Sequence, residues 1–171
     1  MLQLIRAASL TTDIASQLHA VWMAAYTQEA VLLGARDFPP LRRSQRDLLE
    51  AGEVAVLAYL NGELAGGVVV QGEPTAGSLH INALVVAPRL QRLGVAYALL
   101  SKVIEDHPDA IYEVTTGAAN TPVLALYHRL GFKETGRMHV GRERLVLVSL
   151  MRAVDQRKES PSEDKKVRRE I

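Results

Sequence analysis

A chain of 171 residues with 48% hydrophobic and 23% charged residues has the length of one domain and enough apolar material for a core, which excludes a disordered or fibrous chain. A net charge of +1 argues against a nucleic-acid module built on a broad basic face. With no cysteine, no signal-like N-terminus and no run of about 18 apolar residues, thiol chemistry is excluded and a cytoplasmic protein away from the membrane is expected.

In chain order, "LQLIRAA" predicts a first strand. A helix capped at Thr12 follows through "IASQLHAVWMAAY", where Ile14, Leu18, Val21, Trp22 and Ala25 recur at three- and four-residue steps. The segment from Thr27 to Pro40 reads as a loop, and Ser44 with Asp47 predicts the cap of a second, short helix ending before Gly52. "EVAVLAYL", Asn61-Gly62 and "ELAGGVVVQ" predict a hairpin, because Asn-Gly tolerates the positive φ of a type I′ turn. "SLHINALVV" adds a third strand. The second half then alternates: a helix from Leu90 to Asp106, the strand "IYEVTT", a helix from Pro122 to Leu130 ended by Gly131, and strands around "KETGRM" and "RLVLVSL". Charges of both signs crowd residues 152–171, which predicts a solvated tail or loosely held helix after a domain at 1–151. No internal repeat is evident.

"VVAPRLQRLGVAYALL" passes from an apolar strand, through Pro88, into a helix whose entrance is bare and basic. A helix N-terminus presents unpaired N–H groups and partial positive charge to an anion; Arg89 and Arg92 add full charges. Gly94 lets a phosphate approach the main chain and Ala96 keeps the next turn slim, so a pyrophosphate cradle is expected. The stretch lacks both the Lys-Ser/Thr of a triphosphate loop and the three glycines of a dinucleotide fingerprint.

"LHINALVVAPRLQRLGVAYALL" resembles the acetyl-CoA signature of the GNAT acetyltransferase superfamily, a strand ending V-x-P followed by Q/R-x-x-G-x-G/A, here with Val86, Pro88, Gln91, Arg92, Leu93, Gly94, Val95 and Ala96. "NTPVLALYHRLGF" is similar to the family's N-x-x-A-x-x-L-Y-x-x-x-G-F helix through Asn120, Leu126, Tyr127, Gly131 and Phe132, with Val123 in place of alanine; "IRAASLTTDI" resembles its first strand and turn. The matches span most of residues 3–151 in family order. They imply an α/β (α+β) GNAT fold: a central mixed, mostly antiparallel sheet of six to seven strands, about four helices, and a parallel strand pair that splays at the cofactor site.

The resemblance further implies acetyl-CoA as cosubstrate, with no metal, and transfer to a primary amine of a small molecule, peptide or protein in a ternary complex. Pantetheine would enter the splay like an extra strand, on the backbone of Leu84, Val85 and Val86, with the diphosphate on Gln91 to Ala96. Asn120 would cap its helix or reach the cofactor. Tyr127 would assist the leaving thiolate. His80 takes the place of a glutamate that often serves as base in the family's E-I-x-x-L-x-V-x-P strand, acting directly or through water, with Glu113 in reserve. Asn82 shares the strand face of His80 by period two and would orient water or acceptor. Tyr26 would line the acceptor pocket near Phe38, Arg42 and Arg43, beside a core Trp22. His19, His107, His128 and His139 have no metal-ligand spacing. Rival readings are a non-catalytic acyl-CoA sensor or scaffold and a generic nucleotide-phosphate binder. The acceptor's identity and a homodimer stay open.

Overall fold

A computed structural model describes residues 1–73 and 77–153. The expected tail falls almost wholly on 154–171, outside the described residues; Arg152 itself belongs to the last strand. The elements run β1 (Leu2–Ala7), α1 (Thr12–Leu33), α2 (Gln45–Glu50), β2 (Val54–Leu60), β3 (Glu63–Glu73), β4 (Ser78–Val86), α3 (Val95–Asp106), β5 (Ile111–Gly117), α4 (Thr121–Arg129), β6 (Lys133–Val140) and β7 (Leu145–Arg152). The seven strands form one sheet in the order β1-β2-β3-β4-β5-β7-β6, with β4 and β5 parallel and the other neighbours antiparallel. This is the expected mixed sheet with four α-helices.

Each face of the sheet carries its own core. Under α3 and α4, Val68, Leu79, Ile81, Leu99, Tyr112 and Tyr127 pack together; under α1 and α2, Leu18, Trp22, Leu57, Val69 and Val85 do so. A fully buried Leu or Val side chain is worth about 1.5–3 kcal/mol. These side chains, more than helix propensity, therefore seat α1 on the sheet. Strand β4 serves both cores because of a bulge. Val69 pairs with Ala83 and Val70 with Ile81, which leaves Asn82 as an extra residue without a partner in β3. The extra residue flips the alternation: Leu79 and Ile81 join the α3/α4 core, whereas Ala83 and Val85 join the α1 core.

Asn61 (φ 53°) and Gly62 (φ 85°) make the expected hairpin turn, and the Asn61 side chain accepts a hydrogen bond from the N-terminal ammonium at 2.5 Å. Ser44 and Asp47 cap α2 reciprocally. Three boundaries differ from the sequence expectations. The cap of α1 is Thr11, whose hydroxyl accepts from Ile14 N at 3.3 Å. The same helix continues through the expected loop to Leu33, because Ala15, Leu18, Trp22, Tyr26 and Ala30 form one buried stripe past the polar Thr27-Gln28-Glu29 step. Helix α3 starts at Val95, not Leu90: a 3-10 turn occupies Pro88–Leu90, and Arg92 (φ 66°) and Gly94 (φ 81°) are left-handed. At the far end of α1, a Cβ on Gly117 would collide with Leu33, so glycine lets β5 lie close against the last turn of α1.

Candidate active site

The parallel ladder between β4 and β5 has four rungs, from Ser78↔Ile111 to Ile81↔Val114. Beyond the last rung β4 continues to Val86 and β5 to Gly117, while β5 stays paired to β7 as far as Gly117↔Leu147. The two strands therefore diverge. The edge of β4 facing the gap, including Leu84, Val85 and Val86, has no strand partner there. Unpaired main-chain groups in such a gap suit an extended amide ligand that adds as a strand.

At the outer end of the gap, Leu90 N and Gln91 N bond back into the Pro88 turn, and the next main-chain bond at the start of α3 is Ala98 N to Gly94 O at 3.0 Å. Between them, the N–H groups of Arg92 to Tyr97 have no main-chain acceptor among the described residues. Gly94, in a left-handed conformation with no protein atom within 4 Å of where a Cβ would stand, leaves this concavity open. The expected group Gln91, Arg92, Leu93, Gly94, Val95 and Ala96 is thus brought together as a turn and helix start. Val95 is buried, Leu93 is exposed, and the Gln91 side chain donates to Gln28 at 2.7 Å and to Val86 O at 3.3 Å. Arg89 turns away to pair with Glu63, so of the two arginines Arg92 alone remains beside the open amides.

A cleft of about 460 Å³ opens from the gap, bounded by the C-terminal half of α1, the Asp37–Arg42 segment, β4 from Ile81 to Leu84, β5 from Val114, and α4. Tyr127, from α4, lines it with only 2% of its surface exposed, edge-on to Phe132 at 5.1 Å. Burial, then the Glu29 carboxylate, pushes its phenol well above the ordinary value, so Tyr127 stays protonated at neutral pH. Tyr26 faces it from α1, held between Trp22 at 4.9 Å and Phe38 at 5.9 Å; burial, then Glu29 and Tyr127, raise its phenol too, with Arg43 partly offsetting them. Tyr112 supplies a contrast. Its hydroxyl is consumed by Val103 O and His107 O, at 2.8 and 2.9 Å, and that tyrosine is structural.

The sequence matches the acetyltransferase (GNAT) family over residues 16–132. The chain belongs to that family. A curated relative, the UPF0157 protein YqkA of Bacillus subtilis (strain 168), is 35% identical over 122 residues, 71% of this chain. The match covers 35% of that relative, so the chain spans about a third of its length. Among solved structures, the ribosomal-protein-S18-alanine N-acetyltransferase of Escherichia coli superposes with a TM-score of 0.71 at 19% identity, covering 95% of this chain and 99% of that one. YncA of Salmonella typhimurium, solved with its cofactor acetyl-CoA, gives 0.66 at 18% identity, covering 95% and 99%. These likenesses support the GNAT fold, and the family match supports acetyl transfer as the reaction class.

The remaining expected residues of this GNAT chain are divided between the cleft and its surroundings. Asn120 lines the cleft, but its side chain caps nothing: α4 begins without a side-chain cap, and the Asn120 amide instead sits beside Glu29. Asn82 lines the cleft at the bulge. Both hydrogens of its amide are engaged, with Glu53 at 2.6 Å and Gln71 at 3.1 Å, which leaves its carbonyl oxygen for a ligand. Glu53 is in turn paired with Arg43, whose guanidinium lies 5.1 Å from the Trp22 ring. His80 and Glu113 pair with each other one rung before the ladder ends, both exposed, and neither borders the cleft. Glu29 does border it, and sequence reasoning missed it. The i+4 continuation from Trp22 to Tyr26 and Ala30 was the available signal that α1 runs on past Glu29. Among the described residues no helix is long and apolar enough to cross a membrane, and no three metal-ligating side chains gather.

Proposed function

We propose that the protein is an acetyl-CoA-dependent N-acetyltransferase that acts on a primary amine of a small molecule, peptide or protein by direct attack in a ternary complex. The observation that carries this reading is the alignment of three features along one gap. Open amides lie at the start of α3, an unpartnered edge of β4 at Leu84 to Val86, and Tyr127 in the cleft at the inner end. The residues present fit the cosubstrate. Amides from Arg92 to Ala96 suit a diphosphate, with Arg92 adding charge. The β4 edge suits the amides of pantetheine, and Asn120 borders the same path. Acetyl-CoA supplies the activated thioester; everything else falls to the chain's own groups.

Tyr127 hydrogen-bonds the sulfur as charge develops on it. A phenol of ordinary pKa about 10 is already a poor match for a thiolate near 8.5, and the upward shift widens the gap. Tyr127 thus stabilises the leaving group without surrendering its proton outright. Tyr26 and the free carbonyl of Asn82 would border the acceptor. With no cysteine in the 171 residues to carry the acetyl group, direct attack is the simpler route.

The test mixes the protein and acetyl-CoA with spermidine, an aminoglycoside and a short peptide with a free α-amino group, and follows release of the CoA thiol. Amine-dependent release for at least one of them, with the acetylated amine seen by mass spectrometry, is the expected result. Tight CoA binding with no amine-dependent release across a broader amine panel would overturn the enzymatic reading in favour of an acyl-CoA sensor.

A further inference from the structure

We infer that Glu29 is the group that receives the acceptor: its carboxylate meets the incoming ammonium in the cleft and takes its proton before attack. This inference rests on the acetyl-transfer reading above and adds the proton acceptor and the charge of the substrate.

Three observations converge on Glu29. First, its place: the extension of α1 to Leu33 carries Glu29 into the wall of the cleft, alongside Tyr26 one turn earlier and across from Tyr127 of α4 and Asn120 just ahead of that helix. Second, its charge is unmatched. Of the other carboxylates around the cleft, Asp37 is paired with Arg42, and Glu143 accepts the main-chain N–H of Arg36 at 3.0 Å. Glu29 has no cationic partner among the described residues; its neighbours are two neutral phenols and the Asn120 amide. A half-buried carboxylate without a counter-ion costs stability, and a cationic ligand relieves that cost. Third, the other candidate bases lie elsewhere: His80 and Glu113 are exposed at the ladder and outside the cleft.

The chemistry fits this position. A primary ammonium of pKa near 10.4 is almost wholly protonated at neutral pH and cannot attack. Burial raises the Glu29 carboxyl above its ordinary value, with the Asn120 side chain partly offsetting the shift, which makes it a better proton acceptor than an exposed glutamate. One ammonium proton passes to Glu29 and from there to solvent. The amine nitrogen then forms the C–N bond as the C–S bond breaks. The second proton lost by nitrogen ends on the sulfur, whose developing charge Tyr127 holds meanwhile. The products are the amide and the CoA thiol. The acceptor is therefore a cation on arrival and a neutral amide at that nitrogen on departure, and the loss of attraction to Glu29 favours release.

A purely structural Glu29, one that only ties α1 to α4 through Asn120, would make the same static contacts. Glu29→Gln separates the two roles because it keeps the shape and the amide contact and removes the base. With whichever of the spermidine, aminoglycoside or peptide probes is turned over fastest, the variant should lose about 10²-fold or more in kcat/KM, the lower range for a general base. Affinity for CoA measured by calorimetry should stay within about twofold. The break of the acid limb should move from the Glu29 ionisation up to the amine's own pKa, so that the variant's rate climbs about tenfold per pH unit across neutral pH as free amine becomes available. Wild-type kcat/KM with the acid limb unmoved in Glu29→Gln would overturn the inference while leaving acetyl transfer standing. A wild-type protein that acetylates no amine would remove both.

Discussion

Ile81 faces Val114 as the last rung of the parallel ladder, and past that rung β4 and β5 run on with no partner between them. The helices surround this divergence. α3 brings its open amides to one end, α4 brings Tyr127 to the other, and the extended α1 lays Tyr26 and Glu29 along the side. Each consequence below follows from that arrangement.

Tyr127→Phe removes the hydroxyl and leaves the buried ring in contact with Phe132. In the proposed mechanism the phenol is too weak an acid to protonate the thiolate fully and contributes a hydrogen bond, so the expected loss in kcat is about 10²-fold, the lower end for general acids. Calorimetry should show CoA affinity nearly unchanged. Unchanged turnover would remove Tyr127 from the reaction.

Glu29→Gln should raise the melting temperature at pH 7. The carboxyl's folded pKa lies above its unfolded one, so the native state holds the proton more tightly and the ionised group penalises folding at higher pH. The penalty is absent below the unfolded value near 4.3 and complete above the raised folded value. The stabilisation by Gln should therefore fade as thermal melts are taken from pH 7 down to pH 4. A destabilised variant at pH 7 would mean that the charge contributes favourably to the fold.

Glu53→Ala tests the clamp on the bulge. Glu53 is bound by Arg43 and Asn82 together, and its side chain is only 8% exposed. Removing it strands a largely buried guanidinium and should cost about 3 kcal/mol in urea unfolding, the low end for unpairing a buried ion. Acetyl-CoA KM should rise as well, since the bulge sets the course of β4 into the splay. Loss of stability with unaltered KM would confine Glu53 to the scaffold.

Gly94→Ala has no protein neighbour to strike, so its effect is backbone strain of about 1–2 kcal/mol and a methyl group in the concavity. Acetyl-CoA KM should rise severalfold with the amine KM unmoved. An amine KM that rises instead would place the acceptor, not the diphosphate, at the start of α3.

Much of this arrangement was legible from the sequence where a local rule governed it. Asn61-Gly62, Ser44 with Asp47, and the apolar strands announced themselves by turn chemistry, capping and alternation. The approach of Gly94 and Tyr127 to one gap was legible only through resemblance, since nothing local brings residues 33 apart in sequence into one site. Glu29 was hidden by the polar triplet Thr27-Gln28-Glu29, which looks like the end of a helix. Tertiary burial of Tyr26 and Ala30 outweighs that local signal and carries the helix onward. The bulge at Asn82 was equally hidden, because strict alternation would put Leu79, Ile81, Ala83 and Val85 on one face, and an unpaired residue leaves no mark in the pattern.

The most direct test is to record backbone amide NMR shifts of the labelled protein as CoA is added. The largest changes are predicted at Arg92 to Ala96 and at Leu84 to Val86, with Tyr127 and Asn120 following. Saturable binding whose largest changes fall elsewhere, with the α3 entrance unmoved, would contradict the account.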